Sequence, residues 1–215
     1  MSDSSPASAA PPLEVRALHL WRGERHLLRG VDFSLQRGEL LQIVGPNGVG
    51  KTSLLRCVAG LLPVESGEVL WCGSSIRECR DEYQRALAYL AHANAIKNEL
   101  TALENLRYAI AIRRQVSNEE LTATLERVQI AACADLPARA MSAGQKRRLA
   151  IARVLLSGAT LWILDEPITN LDARGIALFE ECMASHLDRG GMVLTAAHQL
   201  LLQGRANVRT LELGT

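Results

Sequence analysis

The chain has no excess of charge: 24 Lys and Arg stand against 23 Asp and Glu in 215 residues. Surfaces that bind nucleic acid or another polyanion carry a basic excess, so no nucleic-acid partner is expected. There is no CxxC pair. The five cysteines, Cys57, Cys72, Cys79, Cys133 and Cys182, are an odd set without the paired spacing of disulfide or zinc frameworks. They predict buried free thiols in a reducing compartment. No apolar run approaches the roughly 20 residues that cross a bilayer. If the protein works at a membrane, other chains must supply the membrane part. Residues 1–12, MSDSSPASAAPP, lack the basic start and apolar core of a signal peptide and read as a disordered tail. Glycine is missing from Ser74 to Ala143, and there is no internal repeat.

Hydrophobic residues make up 48% of the chain, enough to bury a sizeable core in one large domain over residues 13–215. Leu13–Leu20 and Val31–Leu35 alternate as two edge-type strands around a turn at Arg22-Gly23-Glu24. Glu39–Val44 is a short apolar strand, Lys51–Ala59 a helix stopped by Gly60 and Pro63, and Gly67–Cys72 another strand. From about residue 80 to 140 apolar residues recur at helical spacing (Leu103, Leu106, Ile110; Leu121, Leu125, Val128), which predicts an inserted helical subdomain. Ser142 caps a helix through about Leu156. Leu161–Leu164 reads as a strand covered on both faces, Ile176–Leu187 as a helix and Met192–Ala196 as a buried strand. This alternation is the α/β pattern.

Three motifs carry chemistry. Gly45-Pro46-Asn47-Gly48-Val49-Gly50-Lys51-Thr52 follows a strand and opens a helix, the setting of a phosphate-binding loop. Phosphates need several backbone N–H groups aimed at one point with side chains out of the way, hence the glycines. Lys51 reaches the β- and γ-phosphates, the Thr52 hydroxyl is placed for Mg²⁺, and Ser53 is expected to bind the nucleotide with the rest of the loop. Asp165-Glu166 ends the apolar strand. A carboxylate there lies beside the phosphate loop: Asp165 holds Mg²⁺ and Glu166 polarises the attacking water as general base. Between the two stands Ser142-Ala143-Gly144-Gln145.

That order and spacing resembles an ABC-type ATPase over nearly all of residues 13–213. The resemblance implies a P-loop core with a mixed or parallel sheet, an antiparallel β edge and the helical insertion. In that family the tetrapeptide segment reads LSGGQ and binds the γ-phosphate of an ATP held by the opposite subunit. Ser142, Gly144 and Gln145 would therefore serve a second copy of the chain. Met141 and Ala143 depart from the pattern, and Ala143 is tolerable only where the backbone angle is not positive. The resemblance further implies that Asp172 belongs to the loop crossing the dimer interface and that His198 contacts the γ-phosphate and attacking water. Trp21 is the aromatic nearest the place where the family stacks adenine, although an ungapped match sets Arg22 there. The family's Mg²⁺-contacting glutamine, which relays contact with the membrane partner, is absent from Ala91–Lys97. Asn94, His92 or water is left to complete the metal shell.

Gly38–Pro63, Gly67–Gly73, Leu100–Leu106 and Leu161–Pro167 are similar to the ATP-binding subunits of the cytochrome c maturation system. That resemblance implies ATP and Mg²⁺ as cofactors and integral membrane permease subunits as partners. It also implies a place on the cytoplasmic face of the bacterial inner membrane and a role in haem export or release of a haem-loaded chaperone. His19, His26 and His186 are isolated in sequence and form no haem-site pattern.

Overall fold

The computed structural model describes residues 12–214. The expected tail lies outside the described residues except for Pro12, whose carbonyl accepts the Cys72 N–H at 2.8 Å. Nine strands and six α-helices follow in chain order among the described residues: β1 Leu13–Arg22, β2 Arg25–Leu35, β3 Leu40–Val44, α1 Lys51–Val58, β4 Ser66–Trp71, β5 Ser74–Ser75, α2 Arg80–Ala86, β6 Leu87–Leu90, α3 Ala102–Ala111, α4 Asn118–Arg127, α5 Ala143–Leu156, β7 Leu161–Asp165, α6 Ala173–Asp188, β8 Met192–Ala196 and β9 Val208–Glu212.

Five strands form a parallel sheet in the order β6-β7-β8-β3-β9. Its inner strands are apolar throughout because both faces are covered. Leu41, Ile43, Leu161, Ile163 and Leu194 face a core shared with α1 and the N-terminal strands. Their neighbours Leu40, Trp162, Leu164 and Val193 face a second core with α3, α4, α5 and α6. One direction for all five strands brings the ends of β3, β7 and β8 to the same edge, and the register sets Asp165 opposite Ala196. The residues after those ends are therefore neighbours.

The antiparallel strands form a sheet of their own, ordered β2-β1-β4-β5, rather than extending the parallel one. β1 is thus internal and only β2 is an edge beside it. Within the span of about 80–140, α2 comes first, β6 (Leu87–Leu90) pairs with β7, and α3 and α4 follow. β9 was not foreseen, since its residues are exposed or half-buried and show no apolar run. Leu106 and Ile110 of α3, Leu121 and Leu125 of α4, and Leu149 of α5 meet in one core. α3 starts at a capping box of Thr101 and Glu104, and α4 at Ser117.

All five cysteines are free; Cys57, Cys133 and Cys182 are buried, Cys79 is half-buried and Cys72 is exposed. The expectation of five buried thiols is corrected at Cys72, which occupies the reversal from β4 to β5 at φ +51°. His19 and His26 are not isolated either. Antiparallel pairing of β1 with β2 sets their ring nitrogens 3.0 Å apart. His186 is buried under Trp162, ring centroids 3.8 Å apart.

Candidate active site

The N-terminus of α1 is left open. Helices α3, α4, α5 and α6 are each capped by a side chain, from Thr101, Ser117, Ser142 and Asp172. The α1 cap is Gly50 at φ 117°, with no side-chain hydrogen bond and no acidic residue in the first turn. First-turn N–H groups have no intrahelical acceptor, and with the positive end of the helix dipole they form an anion site. Gly45 must be small as well as flexible: at φ +143° a Cβ there would stand 2.7 Å from the Leu213 carbonyl. Lys51 Nζ donates to the carbonyls of Gly45 (2.7 Å) and Pro46 (3.1 Å), which keep the ammonium inside the loop. Val49 is buried, its Cγ1 3.3 Å from that same Cβ position.

Thr52 Oγ1 donates to Asp165 Oδ1 at 3.0 Å across 113 residues of sequence. These are two hard oxygen donors, the kind Mg²⁺ prefers. Burial pushes the Asp165 carboxyl up from its usual range; the Thr52 hydrogen bond and the charges of His92, Arg147 and Lys51 pull it back. Glu166 follows at φ +47°, directly before Pro167. A non-glycine residue held there is strained by about 1–3 kcal/mol. Its N–H bonds to the Ala196 carbonyl at 2.8 Å, which ties it to the end of β8. Its Oε1 lies 3.5 Å from His198 Nε2.

Lys51, Thr52, Glu166 and His198 line one open cleft of about 440 Å³ together with Asn47, Gly48, Gly50 and Ser53 of the phosphate loop and helix and with Arg22, Arg25 and Leu27 of the N-terminal strands. Trp21 is not in it. Strand alternation turns Trp21 and Arg22 to opposite faces. Trp21 stacks on His26, centroids 4.1 Å apart and planes at 5°, while Arg22 faces the cleft.

Ser142, Gly144 and Gln145 also lie away from the cleft of their own chain. Ser142 Oγ accepts the Gln145 N–H at 3.2 Å and Gln145 Oε1 accepts the Ser142 N–H at 2.8 Å, a capping box. The Ser142 hydroxyl proton remains free to donate. Ala143 is the first residue of α5 and is not among the positive-φ residues, so its methyl is tolerated. Gly144 is closely fitted: a Cβ would meet the Asn170 carbonyl at 2.9 Å. Asp172 caps α6 through the Gly175 N–H (2.9 Å) and pairs with Arg148 Nη2 at 2.7 Å.

The family model described as "ABC transporter" matches residues 28–169. The "Cytochrome c biogenesis ATP-binding export protein CcmA" of Vibrio cholerae is 44% identical over 94% of this chain and 98% of its own length. The protein of that name from Methylococcus capsulatus is 46% identical with the same coverage.

The chain belongs to the CcmA group of the ABC transporter family.

Solved structures agree on the fold. A putative ABC transporter ATP-binding protein from Pyrococcus furiosus superposes with TM-score 0.81 at 22% identity, over 94% of this chain and 96% of that one. An ATP-binding subunit of an ABC transporter gives 0.77 at 28% identity, over 86% and 79%. As an ABC ATPase domain the chain binds ATP.

Within this ABC ATPase, Arg147 is the residue that sequence reading passed over. It is fully buried, and all five of its N–H donors are used. Nε bonds to the Pro167 carbonyl, Nη2 to those of Asp165 and Glu166, and Nη1 to the Ala91 carbonyl and Asn94 Oδ1, at 2.6 to 3.0 Å. Burial lowers its pKa to about 10, partly offset by the charges of Asp165 and Glu166. One guanidinium therefore joins α5, the carboxylate segment and the segment after β6. The available signal was a charged residue on the stripe Arg147, Ala150, Ile151, Val154. Asn94 Oδ1 accepts from Arg147, whereas His92 is exposed and near enough to Asp165 for its charge to act there.

Proposed function

We propose that this chain hydrolyses ATP as two copies closing over two nucleotides, and so powers an integral membrane complex of cytochrome c biogenesis. Its output is haem export or release of a haem-loaded chaperone, driven from the cytoplasmic face of a bacterial inner membrane. The observation that carries the reading is the cleft in which Lys51, Thr52, Glu166 and His198 converge, in a chain alike over nearly its whole length to proteins named for cytochrome c biogenesis and export. Among the described residues no helix is long and apolar enough to cross a membrane.

In this reading the open N–H groups of α1 and Lys51 hold the phosphates. Glu166 takes the proton of the attacking water, and His198 orients that water and the γ-phosphate. Thr52 and Asp165 would hold the Mg²⁺ that accompanies ATP, an ion that neutralises charge on the phosphate oxygens. Arg22 offers a guanidinium plane to adenine in place of an aromatic ring. Ser142, Gly144 and Gln145 serve the partner copy's nucleotide, which fits their position outside their own cleft. Asp172 lies at the same interface, through the segment that Asn170 brings against Gly144.

The membrane subunit would dock on the groove between β6, the segment 91–95, α3 and α5. Arg113 and Arg153 line it, bonded to the backbone carbonyls of Leu87, Asn94 and Ala95, with no carboxylate partner among the described residues. Burial lowers the pKa of each. An exposed cation at Arg113 beside a half-buried one at Arg153 fits an acidic group on the docking segment.

The test is a pull-down from solubilised membranes with the bound integral proteins identified. A membrane protein of cytochrome c biogenesis is the expected partner. A transporter chain with another cargo, or recovery of soluble partners only, would overturn the assignment.

A further inference from the structure

Gln42 is the only polar residue of β3 and is wholly buried. In a strand covered on both faces an aliphatic side chain would pack without desolvating an amide. Alternation puts Gln42 on the Leu40 side of the sheet, against the core that includes Ala197 and Leu201. Its amide bonds to the segment on either side of His198. Nε2 donates to the carbonyls of Ala197 (3.2 Å) and Gln199 (2.8 Å), and Oε1 accepts the Leu201 N–H at 3.0 Å. Donors and acceptor are satisfied together, as a buried amide requires.

We propose that Gln42 is a positioning residue for hydrolysis. It clamps residues 197–201 onto the strand that runs into the phosphate loop, and so fixes His198 beside Glu166. β3 and β8 pair up to Ile43 and Ala196, and beyond Ala196 the Gln42 amide bonds to residues 197, 199 and 201. This rests on the reading of His198 as a residue that acts in hydrolysis.

The test is a double-mutant cycle on the full chain with ATP and Mg²⁺. Gln42→Met keeps length and burial but removes all three bonds. We expect kcat to fall about tenfold or more while the Kd for ATP changes less than about threefold. In a His198→Ala chain the same substitution should lower kcat less than about twofold, because its target is already gone. Gln42→Glu, which keeps an acceptor for Leu201 and loses both donors, should fall between. An equal loss from Gln42→Met in both backgrounds, or no loss in wild type, overturns the proposal. Unchanged turnover in His198→Ala alone overturns the role of His198 and the proposal with it, so the two failures are distinguishable. If the Gln42 variants do not fold, the wild-type side-chain amide decides by NMR. Two slowly exchanging Gln42 NH₂ signals that shift when a non-hydrolysable ATP analogue binds are expected, and signals like those of a solvated glutamine overturn it.

Discussion

Glu166 Oε1 lies 3.5 Å from His198 Nε2, although the two residues leave different strands, β7 and β8. Parallel register makes them neighbours, and the strained backbone at Glu166 takes that residue off the strand line. A general base contributes about 10²- to 10⁴-fold to rate. Glu166→Gln should therefore lower phosphate release by about that factor with ATP still bound, while Lys51→Ala should lose binding as well. Equal turnover by wild type and both variants would count decisively against these roles.

Gly144 has no room for a methyl beside the Asn170 carbonyl, 2.9 Å from where its Cβ would be. Gly144→Ala should displace the start of α5 from the segment that leads to Asp172. By sedimentation, Glu166→Gln with ATP should form a dimer, and the Gly144→Ala, Glu166→Gln double variant should remain largely monomeric. Equal dimerisation of both would remove Gly144 from the interface.

Arg147 satisfies five acceptors with five donors. Gln, Lys or Met cannot reproduce the planar fork, and unpaired buried carbonyls cost about 1–3 kcal/mol each before relaxation. Arg147→Met should cost roughly 3 kcal/mol overall in urea denaturation, and Arg147→Lys a substantial part of that. A loss under about 0.5 kcal/mol, the size expected of a surface substitution, would show that the network is dispensable.

Burial pushes the His186 imidazole from 6.5 down to about 4. Between those values the unfolded chain binds a proton that the native state refuses. Stability is therefore complete above about pH 6.5 and declines as pH falls toward about 4, by up to about 3 kcal/mol. Urea denaturation at pH 5 and 7.5 should show a larger loss in wild type than in His186→Gln. Equal losses would place the pH dependence elsewhere.

The phosphate loop, the carboxylate pair and the Ser142 segment were legible because each obeys a local rule: glycine where a side chain cannot fit, carboxylates at a strand end, a serine that caps a helix. The apolar strands β3, β7 and β8 were legible for a similar reason, since burial on both faces leaves an unbroken hydrophobic run. β9 was not, being polar and exposed, and its place is fixed only by pairing with β3. The face that β1 turns to the cleft belongs to Arg22.

The sequence by itself determined the family, an ABC ATPase that binds ATP, and the local motifs at Gly45–Thr52, Ser142–Gln145 and Asp165–Glu166. Tertiary structure decided the rest: that Thr52 meets Asp165, that Glu166 meets His198, that Arg147 locks three segments together and that Gln42 grips both sides of the histidine. Those relationships join residues far apart in the chain. They depend on strand order and register, which arise from the packing of two cores and leave no mark at any single position.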